Sequence, residues 1–126
     1  MKDSKQKTAV DYINSHNLTG IKAGQKPHAF LEIWMVVVED RIFARSWEFA
    51  ERSWYNTFLK ESEGKLKCGD QEFNISANIP DDLKEVTSKI NTAYLDKYNS
   101  GENSEYATGI TKPAHFDKTM EFVVLE

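Results

Sequence analysis

Residues 33–59 read IWMVVVEDRIFARSWEFAERSWYNTFL, and the period of the pattern changes twice within them. The run from 29 to 38 is dense in β-branched and aromatic residues, the composition of a strand. Glu39-Asp40 is short and polar, a tight connection. Residues 41–46 then alternate, with Ile42 and Ala44 on one face and Phe43 and Arg45 on the other. The pair is an antiparallel hairpin, and the density of its first arm implies burial on both faces, as in a small barrel. Farther on, Trp54, Tyr55, Phe58 and Leu59 fall on one helical face, so a short helix is expected near 51–61.

Outward from this stretch, the N-terminal side carries Ala9, Val10, Tyr12 and Ile13 at helical spacing, a first helix over 4–15. Residues 19–26 read as an extended segment that leads to a turn. On the C-terminal side, Gly64 is expected to end the short helix. Residues 65–68 and 72–77 form a second hairpin, turned at Gly69-Asp70 or Asp70-Gln71. In its second arm Phe73, Ile75 and Ala77 alternate with polar residues, so one face is buried and the other wet. Pro80, Asp81 and Asp82 suit a helix start. Leu83, Val86, Ile90 and Ala93 or Tyr94 line one face of a longer helix near 81–98. A loop covers 99–105, a short strand is expected over 106–112, and an apolar strand over 120–125 closes the chain. The expected class is mainly β with helices (α+β): antiparallel strands in a sheet that curls toward closure, plugged or flanked by helices.

The chain has 126 residues and a formal net charge of −4, the size of one domain over 1–126 with one modest core. Its basic residues are unevenly placed: residues 1–60 hold 9 Lys/Arg against 7 Asp/Glu, and residues 61–126 hold 7 against 13. Without a basic run or face, nucleic acid is not an expected partner. Cys68 is the single cysteine, which excludes an internal disulfide. No apolar segment is long enough to span a membrane and the N-terminus is polar, so the expected location is cytoplasmic, away from membranes.

The residues that could carry chemistry lie just beyond the first hairpin. Arginine presents five donors in a fork that fits phosphate or carboxylate. Arg45 and Arg52 with the hydroxyl of Ser46 make a candidate anion clamp, aided by N–H groups at the start of the next helix. Trp47 and Trp54 are candidate flat walls for a ring system. The other reading of the same residues is structural: the arginines pair with Glu48 and Glu51, and the indoles fill the core or an interface. His16, His28 and His115 have no metal-ligand spacing, and no CxxC pattern exists, so no metal site is expected. His115 sits in a late loop, where ligand contacts often lie. No catalytic acid, base or nucleophile is identified.

The segments Ile33-Trp34 with Val36–Val38, then 41–46, then Ser53-Trp54-Tyr55 resemble, in order and spacing, the bacterial family called domain of unknown function 2255. Arg45-Ser46 matches its "VRS" segment and Trp54-Tyr55 its "WY". The likeness runs from about Val10 to Leu125. That family resembles the pyridoxamine-phosphate-oxidase-like (PNPOx-like) split barrels, which include flavin- and deazaflavin-binding proteins. The resemblance implies a split β-barrel, a homodimer, and a cofactor at the subunit interface, FMN or a deazaflavin, near Arg45, Ser46, Trp47, Arg52 and Trp54. It implies a flavin- or deazaflavin-binding oxidoreductase; the alternative is a non-enzymatic dimeric split barrel that binds a small molecule or a protein. Between "RS" and "WY" this chain carries Trp47-Glu48-Phe49-Ala50-Glu51, bulkier and more acidic than the glycine-containing link of the family, and two carboxylates beside a phosphate raise its electrostatic cost.

Overall fold

The structure is a computed structural model that describes residues 4–16, 18–23, 30–45, 54–98, 109–111 and 118–125. Three helices, α1 (Ser4–Ser15), α2 (Trp54–Lys60) and α3 (Leu83–Tyr98), accompany seven strands. The strands are β1 (Thr19–Ala23), β2 (Leu31–Ile33), β3 (Val36–Val38), β4 (Arg41–Arg45), β5 (Glu63–Cys68), β6 (Gln71–Asn78) and β7 (Thr119–Val124). They form one antiparallel sheet in the order β2-β1-β5-β6-β7-β4-β3. The two edges of that sheet, β2 and β3, are joined by only Trp34 and Met35. Two residues span at most about 7 Å of extended chain. The sheet therefore has to curl until its edges approach, and the result is a split barrel.

Both hairpins form as their sequences require. Glu39 and Asp40 turn β3 into β4 with φ of 52° and 65°, two left-handed residues in a two-residue loop, the geometry whose twist matches the strands it joins. Acidic side chains tolerate it at modest cost. The second hairpin turns at Gly69-Asp70, with Gly69 at φ 66°, where a glycine has no steric penalty. The expected long strand over 29–38 is instead two short ones, bent at Trp34-Met35 where the chain passes from one sheet edge to the other. Gly64 does not end α2. It lies inside β5, opposite Ala23 of β1, and a Cβ there would stand 2.3 Å from the Lys22 carbonyl oxygen and 2.8 Å from the Phe58 ring. The strand expected over 106–112 is absent at its described residues, since 109 and 110 are helical.

The barrel interior is filled from its own walls and from two helices. Ile21, Met35, Ile42, Ala44, Leu66, Ile75, Met120 and Phe122 point inward, and each is at most 1% exposed. Ala9 and Ile13 of α1 and Tyr55 and Phe58 of α2 join the same cluster. Each fully buried aliphatic or aromatic side chain of this kind contributes about 1.5–3 kcal/mol. A second cluster lies outside the barrel wall, between α3 and the outer face of β3 and β4. Val36, Val38 and Phe43 meet Val86, Ile90, Tyr94 and Tyr98 there. Period-2 alternation along β4 thus feeds two cores, with Ile42 and Ala44 inside and Phe43 beneath the helix. Among the described residues no helix is long and apolar enough to cross a membrane.

Candidate functional site

The outer face of β4 carries Arg41, Phe43 and Arg45, and it is the seat of α3. At the start of the helix, Arg41 donates from Nη1 and Nη2 to both carboxylate oxygens of Asp82 (2.8 and 2.9 Å). Its Nε and Nη2 reach both oxygens of Glu121 on β7 (3.1 and 3.0 Å). Planar guanidinium forks favour such paired bonds. Arg41 consequently holds the Asp82 carboxyl below the usual carboxylate range, and the two acids raise the pKa of Arg41 in return.

Arg45, at the end of β4, is only 3% exposed. Its Nε donates to Thr119 Oγ1 (3.1 Å), Nη1 to the Ile110 carbonyl (3.2 Å) and to Asn91 Oδ1, and Nη2 to the Thr87 carbonyl (3.3 Å). The guanidinium stands 5.8 Å from the centre of the Tyr94 ring. Burial lowers the Arg45 pKa to about 10, so the side chain stays charged at neutral pH. Four segments meet on this one cation: β4, β7, α3 and residues 109–111.

Two tyrosines one helical turn apart finish the seam of the barrel. Pairing of β4 with β3 stops at Val36–Phe43, two residues short of Arg45. The Arg45 backbone N–H turns instead to the hydroxyl of Tyr94 (2.8 Å). At the bend, the Met35 N–H donates to the Tyr98 hydroxyl, which donates to the Met35 carbonyl, both at 3.2 Å. A buried backbone group without a partner costs free energy, and these hydroxyls supply the partners that the interrupted strand lacks. Burial raises the pKa of Tyr94 to about 12 and raises that of Tyr98 as well, so both hydroxyls stay protonated. The Trp34 ring stacks on Tyr98, centroids 4.0 Å apart and planes within 5°.

Of the five residues proposed from sequence to contact a cofactor, Arg45 and Trp54 are described; Ser46, Trp47 and Arg52 lie outside the described residues, as does His115. The structure does not bring Arg45 and Trp54 together. Arg45 is beneath α3, outside the barrel wall. Trp54, at the start of α2, packs on the interior cluster, with its ring 5.8 Å from Phe122 and 6.4 Å from Phe58. A cradle made of the Arg45 guanidinium and the Trp54 indole therefore does not fit a flavin. Arg45 is anchored at the end of β4 and Trp54 at the start of α2. Among the described residues no cluster of His, Cys, Asp or Glu could hold a metal ion. The Cys68 thiol is buried, and burial pushes it up to about 11, the state of an inert structural thiol.

Sequence reasoning passed over Asn91, Thr119 and Lys97. Lys97 is half-buried on α3, and its Nζ donates to the carbonyls of Met35 (2.8 Å) and of Ile13 in the last turn of α1. It lines an open groove of about 610 Å³ between α1, β3 and α3. Only the spacing of Lys97 from Ile90 and Tyr94 hinted at a place beside the buried face of the helix.

The family model for "uncharacterized protein conserved in bacteria (DUF2255)" matches residues 8–122. The chain belongs to this family. Among solved structures it is similar to the conserved hypothetical protein Rv2991 from Mycobacterium tuberculosis, with a TM-score of 0.60 and 14% identity over 98% of this chain and 81% of that one. At that identity the likeness is one of fold, and the fold it shares with this DUF2255 member is the curled antiparallel barrel. No curated protein matches the chain.

Proposed function

We propose that this DUF2255 protein is a split barrel that binds a flavin or deazaflavin, in a site built by the segment between β4 and α2 and completed by a second copy of the chain. The observation that supports it most is the anchoring of the two residues that flank that segment. Arg45, at the end of β4, is held by oxygens of β7, α3 and residues 109–111, and Trp54, at the start of α2, is packed on Phe122 and Phe58. Anchored flanking residues reduce what a ligand contact between them costs in ordering, which favours affinity. In this reading the anion contact falls to Ser46 and Arg52 and the flat wall to Trp47. The ring chemistry would belong to the cofactor, and no step is assigned to a residue of this chain. A fold of this kind hosts many functions, so the cofactor class rests on the sequence resemblance and the position on the anchored flanks Arg45 and Trp54.

The second reading, a dimeric split barrel that binds without redox chemistry, draws its support from Arg45 itself, whose guanidinium is spent on interior oxygens rather than turned to a ligand. Native mass spectrometry of freshly purified protein, followed by titration with FMN and with a deazaflavin, separates the two. A dimer that retains or takes up cofactor, with absorbance in the visible, is the expected result. A protein that binds neither cofactor at concentrations up to about 1 mM sinks the first reading and leaves the second.

A further inference from the structure

We propose that the free edge of β3 docks an extended peptide segment of a partner protein, taken up as one more strand and carrying a basic side chain. The inference needs no flavin. β3 ends the sheet, with β4 on one side and no strand on the other among the described residues. In an antiparallel pair, residues that exchange both backbone bonds alternate with residues whose N–H and C=O point away. The two-residue turn at Glu39-Asp40 makes its flanking pair, Val38 and Arg41, a bonded one, and Val36 with Phe43 is the next. Val37, between them, therefore directs its N–H and C=O off the edge. Met35 does the same, and its N–H and C=O are taken by Tyr98 and Lys97. Val37 has no such cover: among the described residues nothing bonds its outward N–H and C=O. An open edge of this kind is a template for another strand.

The edge lines the groove of about 610 Å³ between α1 and α3. α3 runs beside it in the opposite direction, with Lys97 bonded to the Met35 carbonyl at one end and Lys89 to Glu39 at the other. Eight residues of helix advance about 12 Å and four of strand about 13 Å. Helix and edge thus keep in step, and Ala93, a small side chain lining the groove, stands level with Val37. The Val37 side chain packs on the cluster that includes α1, whereas Val36 and Val38 lie under α3. In an added strand the residue paired with Val37 turns its side chain toward α1, where Asn14 lines the groove, and the residues on either side of it face α3. The charges select the occupant. Lys89 is paired with Glu39 at 2.9 Å. The Lys97 ammonium is held by two carbonyls and the Tyr98 ring. Asp96 is left, an exposed carboxylate at the Met35 end of the groove, and no cation pairs with it among the described residues. A Lys or Arg on the α3-facing side of the strand complements it. A second copy of this chain does not fit the slot, because its own β3 is flanked by α1 and α3 and the helices meet before the edges pair.

The test is an NMR titration of the isotope-labelled full-length protein with the capped peptide Ac-Thr-Val-Thr-Lys-Thr-amide. Run antiparallel to β3, its central threonine pairs with Val37 and its lysine faces Asp96. The Val37 amide should shift saturably, with a Kd of about 1 mM or below. N-methylation of the central threonine removes the donor to the Val37 carbonyl and should abolish binding. Glutamate in place of the peptide lysine should weaken binding about fivefold, the scale of an exposed ion pair. Asp96→Asn should erase that preference while the shift at Val37 remains. A Val37 amide that stays still at about 5 mM peptide, equal binding of the N-methylated peptide, or a preference that persists in Asp96→Asn overturns the proposal. So does a Val37 shift that follows protein concentration without peptide, which would give the edge to a second copy.

Discussion

Arg45 shows how a residue's type can be read before its partners are known. Its charge and its place at a strand end pointed to an anion. Its face, shared with Phe43, put it under α3, where the oxygens of Thr87, Asn91, Ile110 and Thr119 take its donors. Alternation along the strand was legible; that a helix 40 residues later would cover that face was not. Thr19 makes the opposite case. It is 1% exposed, and its hydroxyl has no hydrogen-bond partner among the described residues. An unsatisfied buried hydroxyl costs roughly 1–3 kcal/mol, and valine has nearly the same shape and suits a strand. Thr19→Val should therefore raise stability by about 1 kcal/mol in urea-induced unfolding. A loss of stability would show that the hydroxyl is solvated after all.

Among the elements, the two hairpins and α3 were readable because their signals are local. Polar two-residue turns, period-2 alternation, and apolar residues three and four apart depend on neighbours in sequence. Gly64 was misread for the complementary reason. A glycine after a helix is a common stop signal, but here its purpose is to let β5 approach the Lys22 backbone and the Phe58 ring, a non-local demand. Gly64→Ala should force these groups apart and cost about 1–3 kcal/mol. A thermal melt is the direct measurement, with a fall of roughly 4 °C expected per kcal/mol for a domain of about this size. An unchanged midpoint would mean that β1 and β5 separate without strain.

At the scale of the whole molecule, closure of the barrel depends on α3 as much as on the strands. The sheet edges meet at Trp34-Met35, the ladder lapses there, and Tyr94 and Tyr98 satisfy the freed backbone groups. Removing both hydroxyls, as in Tyr94→Phe/Tyr98→Phe, should open the seam before it melts the core. Amide hydrogen exchange reports such local opening. The Met35 and Arg45 amides should lose protection by at least tenfold, while the β5–β6 hairpin keeps its own. Equal loss across both regions would mean that the seam and the core unfold as one unit.

By itself the sequence determined the α+β class, a hairpin turned at Glu39-Asp40, the hairpin around Gly69 and the long helix, since each follows from the period of its own side chains. It also carried the family likeness, since motif order survives without coordinates. Tertiary structure alone decided that one strand bends to join both edges of the sheet. It likewise decided that Arg45 clamps a helix and that Lys97 sits in a groove with its charge partly desolvated. These depend on which distant segment covers a given face, and burial by a distant segment leaves no periodic trace in the chain that is covered.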